Sequence, residues 1–164
     1  MSATDKNLAA AFAGESQANR KYLAFAKKAD SEGHAQAAKL FRAAAEAETL
    51  HAHAHLKALG GIKSTAENLQ AAVEGETYEF ESMYPDFIKV AQEENNTAAV
   101  RTFTLANEAE KVHAELYKKA LATISSGETY DYYLCTVCGH IAEKEAPEKC
   151  PICGAKTQAY KNIG

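Results

Sequence analysis

Two Glu-x-x-His pairs, each preceded by an isolated glutamate, constrain the fold of this chain more than any other feature. The first set is Glu15, Glu48 and His51, and the second is Glu76, Glu110 and His113. The isolated glutamate precedes its pair by 33 residues in the first set (15 to 48) and by 34 in the second (76 to 110). This spacing indicates an internal repeat of two similar halves.

The composition around these positions favours helices. Residues 4–124 are rich in Ala, Glu, Lys and Leu and contain a single proline, Pro85. Turn-forming stretches at 30–34, 60–65 and 93–97 divide them into four segments, each about 40 Å long if helical. Short links between long helices predict an all-α four-helix bundle over residues 1–126. We expect Ser64 or Thr65 to cap the third helix, with Glu67 near the capping-box position, and Thr97 to cap the fourth.

Each repeated glutamate lies at the centre of an apolar helix face. At about 100° per residue, Phe12 and Tyr22 share the face of Glu15, and Phe103 and Tyr117 share that of Glu110. A single helical glutamate usually faces solvent, but four on apolar faces require partners, because a buried carboxylate is costly unless it is paired or bound to metal. Hydrogen bonding alone is the simpler alternative.

Only one of three neighbouring histidines suits a ligand role beside Glu48. His51 lies one turn along the same face. His53 is about 140° away and should face solvent, and His55 is about 10 Å along the helix. We assign no role to these two. One glutamate from each of two helices and Glu-x-x-His from each of the others matches the di-metal site of ferritin-like bundles. Iron and manganese suit this donor set, and zinc also fits it.

The last part of the chain, residues 127–164, has a different character. A linker at 125–130 leads into it, and it contains two Cys-x-x-Cys-Gly turns. The four thiols belong to Cys135, Cys138, Cys150 and Cys153. Four thiolates form a tetrahedral site for iron or zinc, so a structural zinc ribbon is an alternative on these residues alone.

Charge and hydropathy exclude several classes of function. The net charge of −4 gives no electrostatic case for nucleic-acid binding. No apolar run approaches the roughly 20 residues that span a membrane. The N-terminal residues lack the pattern of a signal peptide, so we expect a cytoplasmic protein.

The motifs resemble those of the rubrerythrin family along the whole chain. The similarity lies in FAGESQANRKY, AEAETLHA, GETYEFESMYP and ANEAEKVHAE, and in the cysteines, which are similar to a rubredoxin-like domain. The resemblance implies a ferritin-like bundle whose di-iron ligands are Glu15, Glu48, Glu76, Glu79, Glu110 and His113. It also implies that His51 exchanges with Glu79 when the redox state changes, and that one iron is bound by the four cysteines.

The resemblance further implies a non-haem peroxidase that reduces hydrogen peroxide to water and protects against oxidative stress. Electrons from a reductase or a rubredoxin would pass through the cysteine-bound iron, and a head-to-tail homodimer is expected. Tyr22 and Tyr84 are candidates for hydrogen bonding to the site or its bound oxygen, or are simply core tyrosines. The rival functions are a ferritin-like ferroxidase that handles iron, and a metal-binding scaffold with zinc on the cysteines.

Overall fold

The computed structural model describes residues 1–164, and most of them are helical. The helices are α1 (Ala3–Ser31), α2 (Ala35–Ala58), α3 (Thr65–Tyr78), α4 (Tyr84–Glu93) and α5 (Thr97–Thr123). One π-helical turn, Glu79–Met83, joins α3 to α4. The helical segments therefore follow the predicted breaks, and the third predicted helix runs from α3 through the π turn into α4. None of the helices is long and apolar enough to cross a membrane.

The helix caps agree with one prediction and correct another. Ser64 caps α3, and its hydroxyl and backbone N–H form a reciprocal capping box with Glu67. The prediction that Thr97 caps the last helix is wrong. The side chain of Asn96 accepts a hydrogen bond from the N–H of Ala99 at 3.0 Å, and Thr97 is the first helical residue. Asn is preferred over Thr at the N-cap position.

The residues group into two compact units, Met1–Lys63 and Ser64–Gly164. The first unit is an antiparallel hairpin of α1 and α2. Small residues allow close packing, and Ala38 and Ala45 are fully buried. The Asn19 amide of α1 donates to the carbonyl of Ala45 at 2.7 Å and to the hydroxyl of Thr49 at 2.8 Å, which fixes the register of the hairpin.

In the second unit, α3, the π turn and α4 pack against α5. The π turn lies just before Pro85, the one proline of the helical region. Proline has no N–H to donate to the carbonyl four residues earlier, and its ring crowds that carbonyl in a regular α-helix. The wider turn accommodates both effects, so the helical rod continues through Pro85 instead of ending there.

The C-terminal residues of the second unit form a small antiparallel sheet. Its strands are β1 (Tyr132–Cys135), β2 (Ile141–Glu143) and β3 (Tyr160–Asn162), in the order β2-β1-β3. Tyr133 pairs with Ala142 on one side of β1 and with Asn162 on the other. A short 3₁₀ helix, Thr157–Ala159, precedes β3. The predicted domain boundary between residues 126 and 127 falls inside this unit and stays a prediction.

The cysteine-bearing module contacts α5 of its own chain. Lys119 on α5 donates to the Glu143 carboxylate of β2 at 2.6 Å, and His113 is hydrogen-bonded to Gly139. The sequence had indicated only a linker between helices and cysteines. The contact joins residues that are far apart in sequence, so composition does not reveal it.

Candidate metal centres

The first unit brings together Glu15, Glu48 and His51, the first set of repeated residues. Each offers a donor atom, and these atoms lie within 4.8 Å of one another. Helix α1 supplies Glu15, and α2 supplies the other two one turn apart. The Nδ1–H of His51 donates to a carboxylate oxygen of Glu48 at 2.9 Å. His53 is exposed, as predicted.

The second unit brings together Glu76, Glu110 and His113 in the same way. Their donor atoms also lie within 4.8 Å of one another. The His113 Nδ1 is 2.6 Å from a carboxylate oxygen of Glu110 and 3.8 Å from one of Glu76. The two triads thus have the same composition, two carboxylates and one imidazole.

His113 differs from His51 because both of its ring nitrogens have partners. Its Nε2–H donates to the backbone carbonyl of Gly139 at 2.8 Å, while Nδ1 faces Glu110. Burial opposes protonation of the ring, but the hydrogen bonds to Glu110 and Gly139 outweigh burial and raise the pKa of His113. Since a carbonyl can only accept, it fixes the proton on Nε2 and leaves Nδ1 as the metal-binding nitrogen once its own proton is lost.

The two carboxyl groups of the second triad have pKa values shifted in opposite directions. Burial and a hydrogen bond with Glu110 raise the pKa of Glu76 to about 7. The hydrogen bond from His113 lowers the pKa of Glu110. Glu76 therefore keeps its proton to a higher pH than an ordinary carboxyl group does, and Glu110 is the charged partner of His113.

Glu79, the additional predicted ligand, lies at the start of the π turn and outside the Glu76, Glu110 and His113 triad. Burial and the negative charge of Glu110 raise its pKa, so it is electrostatically close to that triad. Tyr84 follows the π turn. Burial and the nearby carboxylates of Glu110, Glu79 and Glu76 raise the pKa of its hydroxyl. The predicted exchange between Glu79 and His51 stays a prediction.

The repeat extends to two aromatic clusters that sequence analysis did not predict. Each unit has a cluster of one tyrosine and two phenylalanines with ring centroids 5.6 to 6.4 Å apart. The clusters are Tyr22, Phe25 and Phe41, and Tyr84, Phe87 and Phe103. Each second phenylalanine precedes the Glu of its Glu-x-x-His pair by seven residues (41 to 48, 103 to 110). An alignment of the two halves of the sequence would have revealed this shared spacing.

One spacing differs between the halves, and the π turn explains it. Tyr22 follows Glu15 by seven residues (15 to 22), whereas Tyr84 follows Glu76 by eight (76 to 84). A π turn accommodates one extra residue while the flanking α-helical faces keep their direction. The second tyrosine therefore reaches an equivalent aromatic cluster despite the insertion.

The four cysteines form a separate cluster in the C-terminal module. The Sγ atoms of Cys135 and Cys153 are 3.7 Å apart, and those of Cys138 and Cys150 are 3.5 Å apart. Four thiolates at about 2.3 Å from a central ion lie about 3.8 Å from one another in a tetrahedron. All four are free thiols, so the geometry fits one metal ion and no disulfide.

The surroundings of the cysteines favour thiolate at one position. Burial opposes ionisation of Cys150, but hydrogen bonds from the backbone N–H of Cys153 and from the Tyr160 hydroxyl lower its pKa to about 6. His140, which is buried, has its Nδ1 2.8 Å from the same tyrosine oxygen. Sequence analysis did not identify either residue, since both are brought to the cluster by the sheet.

Two buried polar atoms beside the second triad have no hydrogen-bond partner, Thr77 Oγ1 and Asn107 Oδ1. Thr77 follows Glu76, and Asn107 lies one turn before Glu110. Unpaired buried oxygens are costly in a folded protein, and both of these belong to residues close in sequence to the second triad. With two carboxylates and one imidazole in each triad, the donor sets fit iron, whose ligands in such sites are oxygen and nitrogen.

Comparison with known proteins agrees with these donor sets. Residues 6–121 match the rubrerythrin family model, and residues 133–161 match that of the rubrerythrin rubredoxin-like domain. The chain is 42% identical to nigerythrin of Nitratidesulfovibrio vulgaris, over 92% of this chain and 81% of the relative. It is 38% identical to rubrerythrin of Porphyromonas gingivalis, over 97% and 88%.

A solved structure of fully reduced, all-ferrous nigerythrin is also similar. It has a TM-score of 0.61 and 39% identity, with 99% of this chain and 88% of that chain covered. The mainly helical fold class with a small four-cysteine domain is therefore confirmed, and so is the pair of expected cofactors, a di-iron site with carboxylate and histidine ligands and one iron on the cysteines. Together these matches show that the chain belongs to the rubrerythrin family.

Proposed function

We propose that the chain is a peroxidase that protects against oxidative stress by reducing hydrogen peroxide. The balanced reaction takes two electrons and two protons per peroxide and yields two water molecules. Membership of the rubrerythrin family supports a di-iron oxidoreductase, and the relatives carry that family's names. The substrate and the direction of electron flow are the proposed part.

The proposed iron ligands of the bundle are the two triads, with Glu79 as an additional carboxylate. Two ferrous ions held by these residues would supply the two electrons of the reduction, and iron held by the four cysteines would supply one-electron transfer. The five carboxylates would neutralise the charge of the cations, and the two neutral imidazoles would complete the donor set. The Tyr84 hydroxyl, whose pKa is raised, keeps its proton at neutral pH and can donate a hydrogen bond to oxygen at this site.

One observation carries the proposal, the hydrogen bond between His113 and the carbonyl of Gly139. Gly139 directly follows Cys138, so a single hydrogen bond links a triad histidine to the loop that carries two of the cysteines. A relay through the cysteine site benefits from such a short link. An iron-storing ferroxidase has no need for it, because oxygen accepts the electrons and nothing must return them.

Stopped-flow spectroscopy of the reduced protein tests the proposal. The iron-loaded protein, reduced without oxygen, should be oxidised by about one equivalent of peroxide per bundle, and much faster by peroxide than by dissolved oxygen. Glu110→Ala removes a triad carboxylate, and we expect it to slow peroxide consumption at least about tenfold. Glu108→Ala is the matched control, because Glu108 is exposed on the same helix.

A faster reaction with oxygen, followed by accumulation of ferric iron beyond three ions per chain, would favour the ferroxidase instead. Zinc on the cysteines of protein purified from its native cells would remove the relay. Iron–thiolate absorbs visible light and zinc–thiolate does not, so the absorption spectrum separates these two cases.

A further inference from the structure

A cluster of polar side chains surrounds Tyr130 where α5, the linker and β2 meet. The Glu143 carboxylate accepts a hydrogen bond from the Tyr130 hydroxyl at 2.6 Å and another from the Lys119 ammonium group at 2.6 Å. The two bonds go to different oxygens of the carboxylate. Glu143 therefore joins the linker and the helix to the same strand. We call the following residues the Tyr130 cluster: Lys119, Glu128, Tyr130, Glu143 and Lys144.

The ring of Tyr130 lies close to two ammonium groups. The Nζ of Lys119 is 5.5 Å from the ring centroid, and that of Lys144 is 5.1 Å away. The π electrons of an aromatic ring attract a cation placed in this way. Lys144 also donates from its side chain to the Glu128 carboxylate at 3.1 Å and from its N–H to the carbonyl of Asp131 at 2.8 Å. These contacts tie the linker to the end of β2.

The backbone of Lys144 shows that the contacts of the Tyr130 cluster are favourable. Its φ is +69°, in the left-handed region that residues with a bulky side chain rarely adopt. A costly conformation of this kind persists only where the surrounding structure holds it. At Lys144 the holding contacts are those with Glu128, Tyr130 and Asp131.

Two hydrogen bonds attach the cysteine-bearing module to α5. The first joins His113 to the carbonyl of Gly139 at 2.8 Å, and the second joins Lys119 to Glu143. His113 and Lys119 are six residues apart (113 to 119), about 9 Å along the helix. A single hydrogen bond would allow the module to rotate about it, whereas two bonds at this separation oppose rotation. The second bond therefore determines how the Gly139 carbonyl meets His113.

Apolar packing between α5 and the sheet is incomplete. A cavity of about 450 Å³ lies between them, and its lining includes Leu116 and Ala120 of the helix and Leu134 and Ile141 of the sheet. Well-packed protein interiors contain few voids larger than a water molecule. Since close apolar contact is missing here, the polar contacts contribute a larger share of what holds the module against the helix.

We propose that Lys119 and Glu143 are positioning residues for electron transfer, because they hold the Gly139 carbonyl against His113. Neither residue is a predicted metal ligand. The transfer of one electron oxidises the cysteine-bound iron from ferrous to ferric and reduces one ferric iron of the bundle to ferrous, and no bond forms or breaks. Its rate falls when the path between donor and acceptor lengthens or loses a hydrogen bond. The inference rests on the proposed function, from which it takes the direction of the relay.

Two adjacent lysines of α5 provide a matched test. Lys119 bonds to the module, whereas Lys118 pairs with Glu115 of the same helix at 2.8 Å. Lys119→Ala should slow electron transfer about tenfold or more, because a small displacement of reacting groups is costly. Lys118→Ala should leave the rate unchanged, and Lys119→Arg, which keeps the cation, should retain most of it. Rapid one-electron reduction of the cysteine-bound iron in oxidised protein, followed by its visible absorption, measures the rate.

The position of the Gly139 carbonyl can be measured without electron transfer. In protein loaded with zinc, which has no unpaired electrons, NMR of isotope-labelled histidines gives the rate at which the Nε2–H of His113 exchanges with water. Exchange is slow while this N–H is bonded to Gly139. We expect faster exchange in Lys119→Ala and unchanged exchange in Lys118→Ala. Circular dichroism should show the same helical content in both variants.

The two measurements distinguish the possible failures. Faster proton exchange together with slower electron transfer in Lys119→Ala would support the inference. Either change without the other would overturn it, and so would the absence of both, while wild-type electron transfer would leave the relay intact. If the cysteine-bound iron of the wild-type protein delivered no electron to the bundle, the relay of the proposed function would be rejected, and this inference with it.

Discussion

At the scale of single residues, the second triad contains protonated groups that must lose their protons before a metal ion can bind. The Nδ1–H of His113 donates to Glu110, and burial together with the hydrogen bond to Glu110 raises the pKa of Glu76 to about 7. Both pKa values, of His113 and of Glu76, are raised. Metal binding therefore competes with protonation at two groups, because each must lose its proton before it can bind a cation.

The first prediction concerns the pH dependence of this competition. In protein whose cysteine site already holds iron, the affinity of the bundle for Co²⁺ should rise with pH up to about pH 7. Below that pH the raised pKa values of Glu76 and His113 keep both groups protonated. The expected slope is about tenfold per pH unit for each proton released. Glu76→Gln should lower the slope by the contribution of one proton. Titration of Co²⁺ absorbance between pH 6 and 8 measures it.

Glu81→Gln is the control for that titration. Glu81 lies three residues before Tyr84 on the same helical rod and is exposed. The Glu81→Gln variant should leave both the Co²⁺ affinity and its pH slope unchanged. A slope that Glu76→Gln does not alter would mean that the proton released on metal binding comes from another group.

Residue types and spacing were sufficient to predict both triads, because a glutamate on an apolar face has few satisfactory partners and helical geometry places its neighbours. The Gly139 contact could not be predicted. It depends on how the sheet module packs against α5, and the two residues are 26 positions apart (113 to 139). Nothing local to Gly139 distinguishes it from Gly154, which follows the other cysteine pair and also has a positive φ.

At the scale of secondary-structure elements, the π turn combines one extra residue with the only proline of the helical region. Periodicity predicted the helix that contains Glu76 but not the turn within it, because one inserted residue resembles ordinary noise in an apolar pattern. The spacing of seven residues in one half and eight in the other contains the signal. Pro85 is the physical reason why the extra residue is tolerated at this position.

The second prediction is that the insertion can be removed at its own position. Deleting Glu81 together with Pro85→Ala should convert Thr65–Glu93 into an uninterrupted α-helix and restore the spacing of seven residues. The aromatic cluster of Tyr84, Phe87 and Phe103 should remain intact. The Tm of the metal-free protein should lie within about 4 °C of that of Pro85→Ala alone, equivalent to roughly 1 kcal/mol. Thermal unfolding followed by circular dichroism measures it.

Deleting Glu74 in the same Pro85→Ala background is the matched control. It would rotate the first nine residues of α3 by about 100° and turn Leu69, Ala72 and Val73 away from α5. We expect a loss of about 3 kcal/mol and a drop in Tm of roughly 10 °C. Equal effects of the two deletions would show that the π turn does not contain the inserted residue.

At the scale of the whole molecule, the module that carries the cysteines is hydrogen-bonded, through Gly139, to His113 of the second triad in the same chain. Residue types predicted the two kinds of metal site and their order along the chain. They predicted a break at 60–65 but not that the chain divides into two compact units there, because that grouping depends on contacts between helices, which composition does not reveal.

The third prediction separates electron delivery from peroxide reduction. Cys138→Ser removes one ligand of the cysteine site and should leave the helices folded. After chemical reduction, the bundle of this variant should still react rapidly with peroxide. Turnover driven by a reductase should fall at least about tenfold. Stopped-flow and steady-state measurements on the same preparation give both rates. Undiminished steady-state turnover would mean that electrons reach the bundle without the cysteine site.

On the side of the cysteine module, the contact with His113 is made by the main-chain carbonyl of Gly139, so truncating the side chains of that module one at a time would not detect it. Gly139 has a φ of +86°, a conformation that residues with a Cβ adopt only at a cost of about 1 kcal/mol or more. A substitution there would reorient the carbonyl while leaving every ligand in the sequence unchanged. A chain of this family with all its ligands can therefore still be an inefficient electron carrier.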